Sequence, residues 1–389
     1  MTNSNLKPAN RVKNIPPYAF AAMAQKVREL SANGADIIRL DMGNPDMPPA
    51  PHIIQSLIDY SQHDNTHGYA GYIGIPALRQ AIATYYQNRF GVSLDVNTEL
   101  SPLIGSKEGL ANLHLAWLDP GDLALIPDPG YIVYEMGPRL VNATVQHIPL
   151  TPQNNWLPDF ESISPETAHK ARLMWLNYPN NPTGAVADLA FFEKAVAFCR
   201  QYNILLCHDN PYSDVTFEDY QGISPLQING AKDVVLEFNS LSKTYNMAGW
   251  RVGMAVGNAQ AIKALSTIKT QIDSGFALPI QHMATTALTS DQSWLVDRNK
   301  IYQQRRDMVI SALQHLGLNV PAPKATLYIW FPTPNGYSDT DFYELILQKA
   351  NVSIAPGSIY GQQGKNWMRL SIGVTTNRLA EALERLKKV

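Results

Sequence analysis

Between residues 100 and 270, short apolar runs alternate with stretches of helical period, and this alternation constrains the fold more than any other feature. The apolar runs at 123–127, 144–150, 172–176, 204–208, 234–238 and 250–256 are each the length of one strand. They are near-continuous in hydrophobicity, which is the pattern of a strand buried on both faces. Helical spacing appears up to residue 117, at 131–140, at 189–201 and from 259 onward. Strands and helices alternating in this way predict an α/β fold with a mostly parallel central sheet covered on both sides.

The flanks read differently. Residues 1–15 are expected to form an extended arm, and 18–30 a helix with Phe20, Met23, Val27 and Leu30 on one face, ended by Asn33-Gly34. A short strand is expected at 36–42, running into the turn cluster Gly43-Asn44-Pro45-Asp46. A helix follows over 51–60, then a turn at 69–74 and a long amphipathic helix. A break near 290–299 opens a second unit, with a long helix carrying Arg305, Arg306 and Met308. Apolar strands at LYIWFP, VSIAP and MRLSIG and a closing helix over 378–388 make this unit a smaller α/β or α+β domain. No internal repeat or low-complexity segment is present.

Composition serves mainly to exclude. With 389 residues, 45% of them hydrophobic, the chain has material for two or three domains. Lys+Arg 31 nearly balance Asp+Glu 33, so no basic stripe points to nucleic acid. No apolar run reaches the roughly 18 residues that a membrane span needs. Cys199 and Cys207 lie in apolar stretches without metal-ligand spacing, as buried free thiols in a reducing compartment do. The first residues are polar, with no apolar core of a secretory leader, so a cytoplasmic location is expected. No metal-binding histidine spacing, Walker loop, dinucleotide glycine motif or serine-hydrolase elbow occurs.

The chemistry-bearing residues lie in loops that follow predicted strands, where open parallel sheets bind ligands. Gly105-Ser106-Lys107 opens a helix, and free backbone N–H groups there attract an anion such as phosphate; ordinary capping is the plainer alternative. Asn177 to Gly184 holds seven turn-type residues in eight positions, among them Asn181. Asp209 ends an apolar strand and either caps a turn or pairs with a buried cation such as a protonated ring nitrogen. Tyr212 stands three residues on. Tyr131, after Asp128-Pro129-Gly130, either stacks on a planar ring or packs in the core. Lys243 sits in S-x-S-K, in a segment that reads as a loop or tight turn, with Ser240, Ser242 and, eight residues on, Arg251. A lysine that forms a Schiff base needs a fixed position, a nearby phosphate anchor and a lowered pKa; a solvated surface lysine needs none of these. Arg369 lies inside an apolar strand and calls for a carboxylate, from a substrate or from the protein itself.

In combination these motifs resemble the fold-type I pyridoxal-phosphate enzymes, specifically the class I/II aminotransferases. Asn-Asn-Pro-Thr-Gly, Asp-x-x-Tyr and Ser-x-x-Lys with an arginine eight residues later occur in that order, and the likeness runs from Tyr18 to the C-terminal helix. The resemblance implies that Lys243 is the Schiff-base lysine and proton shuttle. It implies that Asp209 pairs with the pyridine nitrogen of pyridoxal 5'-phosphate, that Asn181 and Tyr212 bind the ring oxygen, and that Tyr131 stacks on the ring. Gly105, Ser106, Lys107, Ser240, Ser242 and Arg251 resemble the phosphate cradle. Tyr69 would reach the phosphate in the other subunit of a homodimer whose active sites lie at the interface. Arg369 would clamp the substrate α-carboxylate beside Gly43, with Asn181 and Tyr18 also lining the substrate pocket. By the same likeness, residues 1–45 form the arm and part of a small domain, 46–290 the large cofactor-binding domain and 291–389 the rest of the small domain.

The implied reaction is transfer of an amino group between an amino acid and a 2-oxo acid, with 2-oxoglutarate and glutamate as one pair. Within the family the local motifs are most similar to the LL-diaminopimelate aminotransferases, which implies lysine biosynthesis, and to a neighbouring group acting on alanine or aspartate. One departure stands out: the 273–281 segment, expected to face the pocket, differs from the Ser-Gly-Val-Phe-Gln-like run of the diaminopimelate enzymes. An alanine, aspartate or aromatic aminotransferase, a lyase or decarboxylase on the same cofactor, and a non-enzymatic ligand sensor are the alternatives.

Overall fold

A computed structural model describes residues 6–13 and 15–389. The strands, in chain order, are β1 (Ile38–Arg39), β2 (Leu100–Leu103), β3 (Leu123–Asp128), β4 (Thr144–Pro149), β5 (Ala171–Leu176) and β6 (Leu205–Asp209). They continue with β7 (Val235–Ser240), β8 (Gly253–Gly257), β9 (Tyr328–Pro332), β10 (Val352–Ser353), β11 (Ala355–Pro356) and β12 (Trp367–Ser371). Seven of them form one sheet in the order β2-β8-β7-β6-β5-β3-β4. The pairs from β4 through β7 are parallel, and β8 runs antiparallel to both β7 and β2.

Alternate residues of the central strands feed two separate cores, as a sheet covered on both faces requires. Leu125, Met174, Leu176 and Leu206 pack on one side, towards the helices Pro76–Phe90, Leu189–Tyr202 and Leu278–Thr289. Ala124, Ile126, Leu173, Trp175, Leu205 and Cys207 pack on the other, towards Ser106–Trp117 and Ala259–Ile272. The adjacent pairs Leu173/Met174 and Leu205/Leu206 therefore serve opposite faces of the sheet.

A third core joins the two ends of the chain. Met23 and Val27 of the helix Ala19–Ala32, with Ile38 and Leu40, pack against Tyr302, Val309, Ile329 and Leu370. β1 pairs in parallel with β10, Ile38 opposite Val352, and β11-β12-β9 form an antiparallel sheet beside them.

Five features differ from the sequence reading. Part of the expected arm over 1–15 lies outside the described residues, and Asn10–Lys13 within it is a short helix, not extended chain. The strand expected at 36–42 shortens to two residues because β10, its partner, is equally short. The strand expected from 250 begins at Gly253, because Arg251 adopts a positive φ of 54° after a turn over Ala248–Trp250. Lys243 stands in a one-turn helix, Leu241–Thr244, not a loop; the Ser240 hydroxyl caps that turn by accepting from the Ser242 N–H. The helix Leu278–Thr289 carries no clear apolar stripe in the sequence, because it packs against both Pro51–Ser61 and Pro76–Phe90.

Candidate active site

The carboxyl ends of β5, β6 and β7, the start of the helix Ser106–Trp117 and the N-terminal turn at Gly43 surround a cavity of about 490 Å³. Tyr18, Gly43, Ser106, Lys107, Tyr131 and Asn181 line it, as do Asp209, Tyr212, Ser240, Ser242, Lys243, Arg251 and Arg369. Residues separated by up to 351 positions thus meet in one hollow, as the geometry of an open parallel sheet directs.

Lys243 projects from its helical turn into the cavity, and its amine donates to the Gly43 carbonyl. Burial, together with the cations Arg369 and Arg251 and against the Tyr328 phenol, lowers its pKa and so favours the free amine. The turn itself is pinned from behind. Arg298, buried at 3% exposure, donates to the carbonyls of Lys243 at 2.9 Å and of Asp214 at 2.6 Å, and also to that of Thr244.

Asp209 is the last residue of β6. Its Oδ2 accepts from the Tyr134 hydroxyl at 2.6 Å, while its Oδ1 is buried without a partner. Burial pushes its pKa up to about 6, against the Tyr134 bond. An unmatched carboxylate oxygen costs free energy in a dry site, and a cationic N–H at that point would recover it. The Asn-rich loop is tied to the same strand end: Asn177 donates to the Asp209 carbonyl at 2.6 Å and accepts from the Asn181 N–H at 2.7 Å.

Arg369, in β12, is buried at 3% exposure. It donates to Asn181 Oδ1 at 2.8 Å and to the Asp41 carbonyl at 2.6 Å, and its Nε has no partner. Among the described residues no carboxylate forms an ion pair with it; the carboxylate of Asp41 is taken by Arg39 at 2.6 Å. Of the two sources for its counter-charge left open by the sequence, the protein does not supply one at contact distance. A carboxylate brought by a ligand fits the vacant Nε and the planar donor fork.

At the other end of the cavity Ser106 begins a 12-residue helix whose N-terminus faces Arg251 and Lys107. A Cβ on Gly105 would lie 2.2 Å from Arg251 Nη2, and one on Gly253 would lie 2.5 Å from the Ser106 nitrogen. Both positions therefore require glycine for the guanidinium and the backbone N–H to converge. Partial burial and the neighbouring Arg251 lower the Lys107 pKa. Two cations, a helix N-terminus and the hydroxyls of Ser240 and Ser242 make a site suited to a phosphate dianion.

The residues present therefore fit pyridoxal phosphate at both ends: a carboxylate oxygen without a partner for its ring nitrogen, and a cationic cradle for its phosphate. Tyr131 stands at the cavity between them. Tyr69 is not brought into this cavity; it is 93% exposed, and within one chain it lines no part of the site. The 273–281 segment does not line it either. Gln281 there accepts from the Ile75 N–H at 2.8 Å, and Gly275 abuts Gly71, so the segment flanks the loop that carries Tyr69.

The sequence reading did not single out Tyr134, Arg298, Tyr328 or Tyr360. Tyr328 and Tyr360 both line the cavity, with ring centroids 4.1 and 4.9 Å from the Arg369 guanidinium. The one local signal was that apolar strand or turn segments contain them. Their approach to Arg369 depends on the pairing of β9 with β12, which spacing along the chain does not reveal.

Residues 35–386 match the family model described as aminotransferase class I and II. The chain is 45% identical over 384 residues to the LL-diaminopimelate aminotransferase of Moorella thermoacetica, covering 99% of this chain and 98% of that one. It is 46% identical over 380 residues to LL-diaminopimelate aminotransferase 2 of Nostoc sp., covering 97% of each. Among solved structures it is similar to substrate-bound BacF from Bacillus subtilis, with TM-score 0.94 and 39% identity over 99% of this chain and 98% of that one. A Thermus thermophilus aspartate aminotransferase mutant matches with TM-score 0.92 and 27% identity, over 98% and 99% of the two chains.

Proposed function

The chain belongs to the class I and II aminotransferases, and from that premise we propose that it moves amino groups between LL-diaminopimelate and 2-oxoglutarate. It is a pyridoxal-phosphate-dependent transaminase of fold type I. The substrate reading is carried by the near-full-length identity to LL-diaminopimelate aminotransferases, and it would place the protein in lysine biosynthesis.

The cofactor supplies an electron sink for the bond broken at the substrate α-carbon. The protein residues supply binding and proton transfer. Arg369 would take the α-carboxylate on its fork and free Nε, which sets the direction of the α-C–H bond. The Lys243 amine would then accept the α-proton and return it, a task that the lowered pKa of the buried amine favours. Asp209 Oδ1 would pair with the ring nitrogen, and Asn181 and Tyr212 would bind the ring oxygen. Gly105, Ser106, Lys107, Ser240, Ser242 and Arg251 would hold the phosphate. Tyr18 and Gly43 would border the substrate.

We read the protein as a cytoplasmic homodimer. What supports the dimer is Tyr69, with Tyr72 and Ile73 also more than half exposed, standing on a loop that the cavity of one chain does not use. Among the described residues no helix is long and apolar enough to cross a membrane. By the same reading, residues 1–45 and 291–389 form one domain around the third core and 46–290 the other.

The test is a spectrum of the purified protein loaded with pyridoxal phosphate, before and after LL-diaminopimelate, glutamate, alanine or aspartate. Conversion of the visible band to a near-ultraviolet band by LL-diaminopimelate and by glutamate is expected. No response to LL-diaminopimelate alongside a response to alanine or aspartate would sink the substrate reading. A band that no donor changes would leave the cofactor reading intact and move the reaction to a lyase or to a donor outside this panel.

A further inference from the structure

Tyr328, the first residue of β9, stands in the middle of the cavity at 3% exposure, and nothing above gives it a task. Three contacts meet on it. Its hydroxyl lies 2.9 Å from the Tyr212 hydroxyl. Its ring centroid lies 4.1 Å from the Arg369 guanidinium carbon. Its hydroxyl also occupies the space beside Gly43, where a Cβ would sit 1.9 Å from it, and the carbonyl of that same Gly43 accepts from Lys243. A phenylalanine would fill the volume and offer Arg369 the same ring. The hydroxyl is therefore not explained by packing, and a buried hydroxyl is costly unless it is bonded.

We propose that Tyr328 is a positioning residue of the transamination: its hydroxyl fixes the direction of the Tyr212 hydroxyl, and its ring fixes the plane of Arg369. One side chain thereby keeps the group facing the cofactor ring and the group facing the substrate carboxylate in register. This rests on the reading of the cavity as the pyridoxal phosphate site.

The bond between the two phenols needs a donor and an acceptor. Burial opposes ionisation of both, but the charges of Arg369 and Lys243 beside Tyr328 outweigh it there and bring that phenol below the ordinary tyrosine range. Burial and the neighbouring Tyr328 hold Tyr212 well above it. Either hydroxyl can donate in this bond; with Tyr212 turned to the cofactor's ring oxygen, the Tyr328 hydroxyl would be the one that donates to Tyr212, and removing it frees the Tyr212 hydroxyl to turn. Tyr131, Tyr360 and Tyr18 also interact electrostatically with Tyr328, so the titration is assigned by substitution.

The experiment takes the full-length protein in two states. Without added cofactor, near-ultraviolet absorbance followed against pH should show one phenolate forming ahead of the other tyrosines, and Tyr328→Phe should lose that step. Loaded with pyridoxal phosphate, Tyr328→Phe should lower kcat by about threefold to tenfold, the weight of one buried hydrogen bond, with KM within about twofold. Tyr328→Leu should in addition raise KM for the oxo acid about tenfold, because Arg369 loses the ring beneath it. Should the leucine variant fail to fold, Tyr328→Met, which fills irregular space, takes its place. Melting temperatures of the variants near that of the parent exclude a merely structural role. An early phenolate step that survives in Tyr328→Phe, an unchanged kcat, or an unchanged KM in the leucine or methionine variant would overturn the proposal. A parent protein that forms no visible band with pyridoxal phosphate overturns the reading of the cavity as well, so the two failures are distinguishable.

Discussion

Two polar clusters lie on either side of the one-turn helix that carries Lys243, and they are finished to different degrees. Behind the turn, Asp214 accepts from Tyr85 at 2.5 Å and from Arg89 at 2.7 Å, and Arg298 donates to three carbonyls. Both oxygens of that carboxylate and the guanidinium of Arg298 are engaged. In front of the turn, Asp209 keeps one oxygen and Arg369 keeps Nε without a partner, both out of water. The same residue types, the two arginines equally buried and Asp214 slightly less so than Asp209, serve structure where every valence is met and binding where one is left over. A charge alone in a core does not mark a site; an incomplete set of hydrogen bonds around it does.

This contrast can be broken from either side. The largest effect belongs to Lys243→Ala, which should cut turnover at least about 10⁴-fold in a coupled assay with glutamate while leaving the fold intact. Retained turnover would remove the front cluster's claim to catalysis. Arg369→Leu should lower kcat/KM by about 10²–10³-fold, the weight of a desolvated charge pair, and cost only about 1–2 kcal/mol of stability: no protein carboxylate loses its partner, though Asn181 Oδ1 and the Asp41 carbonyl lose a donor beside the cavity. Arg298→Leu should do the reverse in denaturant melts, costing about 3 kcal/mol because the buried Lys243 and Thr244 carbonyls are orphaned together, while that of Asp214 keeps Asn299. Equal stability losses in the two arginine variants would erase the distinction.

Asp209→Asn sharpens it most finely. A carboxyl whose folded pKa is raised to about 6 gains stability as pH falls through the window between that value and its unfolded value, and loses it as pH rises. Above that window the unloaded protein bears the cost of an ionised, half-bonded Asp209. The asparagine variant without cofactor should therefore be more stable than the parent at pH 8 by about 2 kcal/mol, with the difference fading towards pH 4. A destabilised variant at pH 8 would mean that Asp209 is already satisfied by the protein.

How much of this was readable in the sequence follows from how far each interaction reaches along the chain. Ser240, Ser242, Lys243 and Arg251 lie within one turn and strand start, so their spacing alone placed them together; Asp209 and Tyr212 are three residues apart. The strand–helix rhythm was equally local, and all six apolar runs from 123 to 256 contain strands of the main sheet. Arg369 was visible as a charge in an apolar strand, but that no protein carboxylate meets it was not. Tyr328 was hidden because its neighbours Tyr212, Gly43 and Arg369 come from three distant segments. Arg298 looked like one more charge on a long helix, since its acceptors are backbone carbonyls that no side-chain pattern announces. The helix Leu278–Thr289 escaped for a related reason: burial against two other helices erases the stripe that marks a surface helix.

The pairing of β1 with β10 has a consequence for how the protein is made. Ile38 leaves the ribosome roughly three hundred residues before its partner Val352, a delay of many seconds at ordinary synthesis rates. Throughout that interval Met23, Val27, Ile38 and Leu40 lack the core they will join, while the main sheet between them can already assemble. Fusing the two ends and opening the chain elsewhere would make those partners neighbours in time as well as in space.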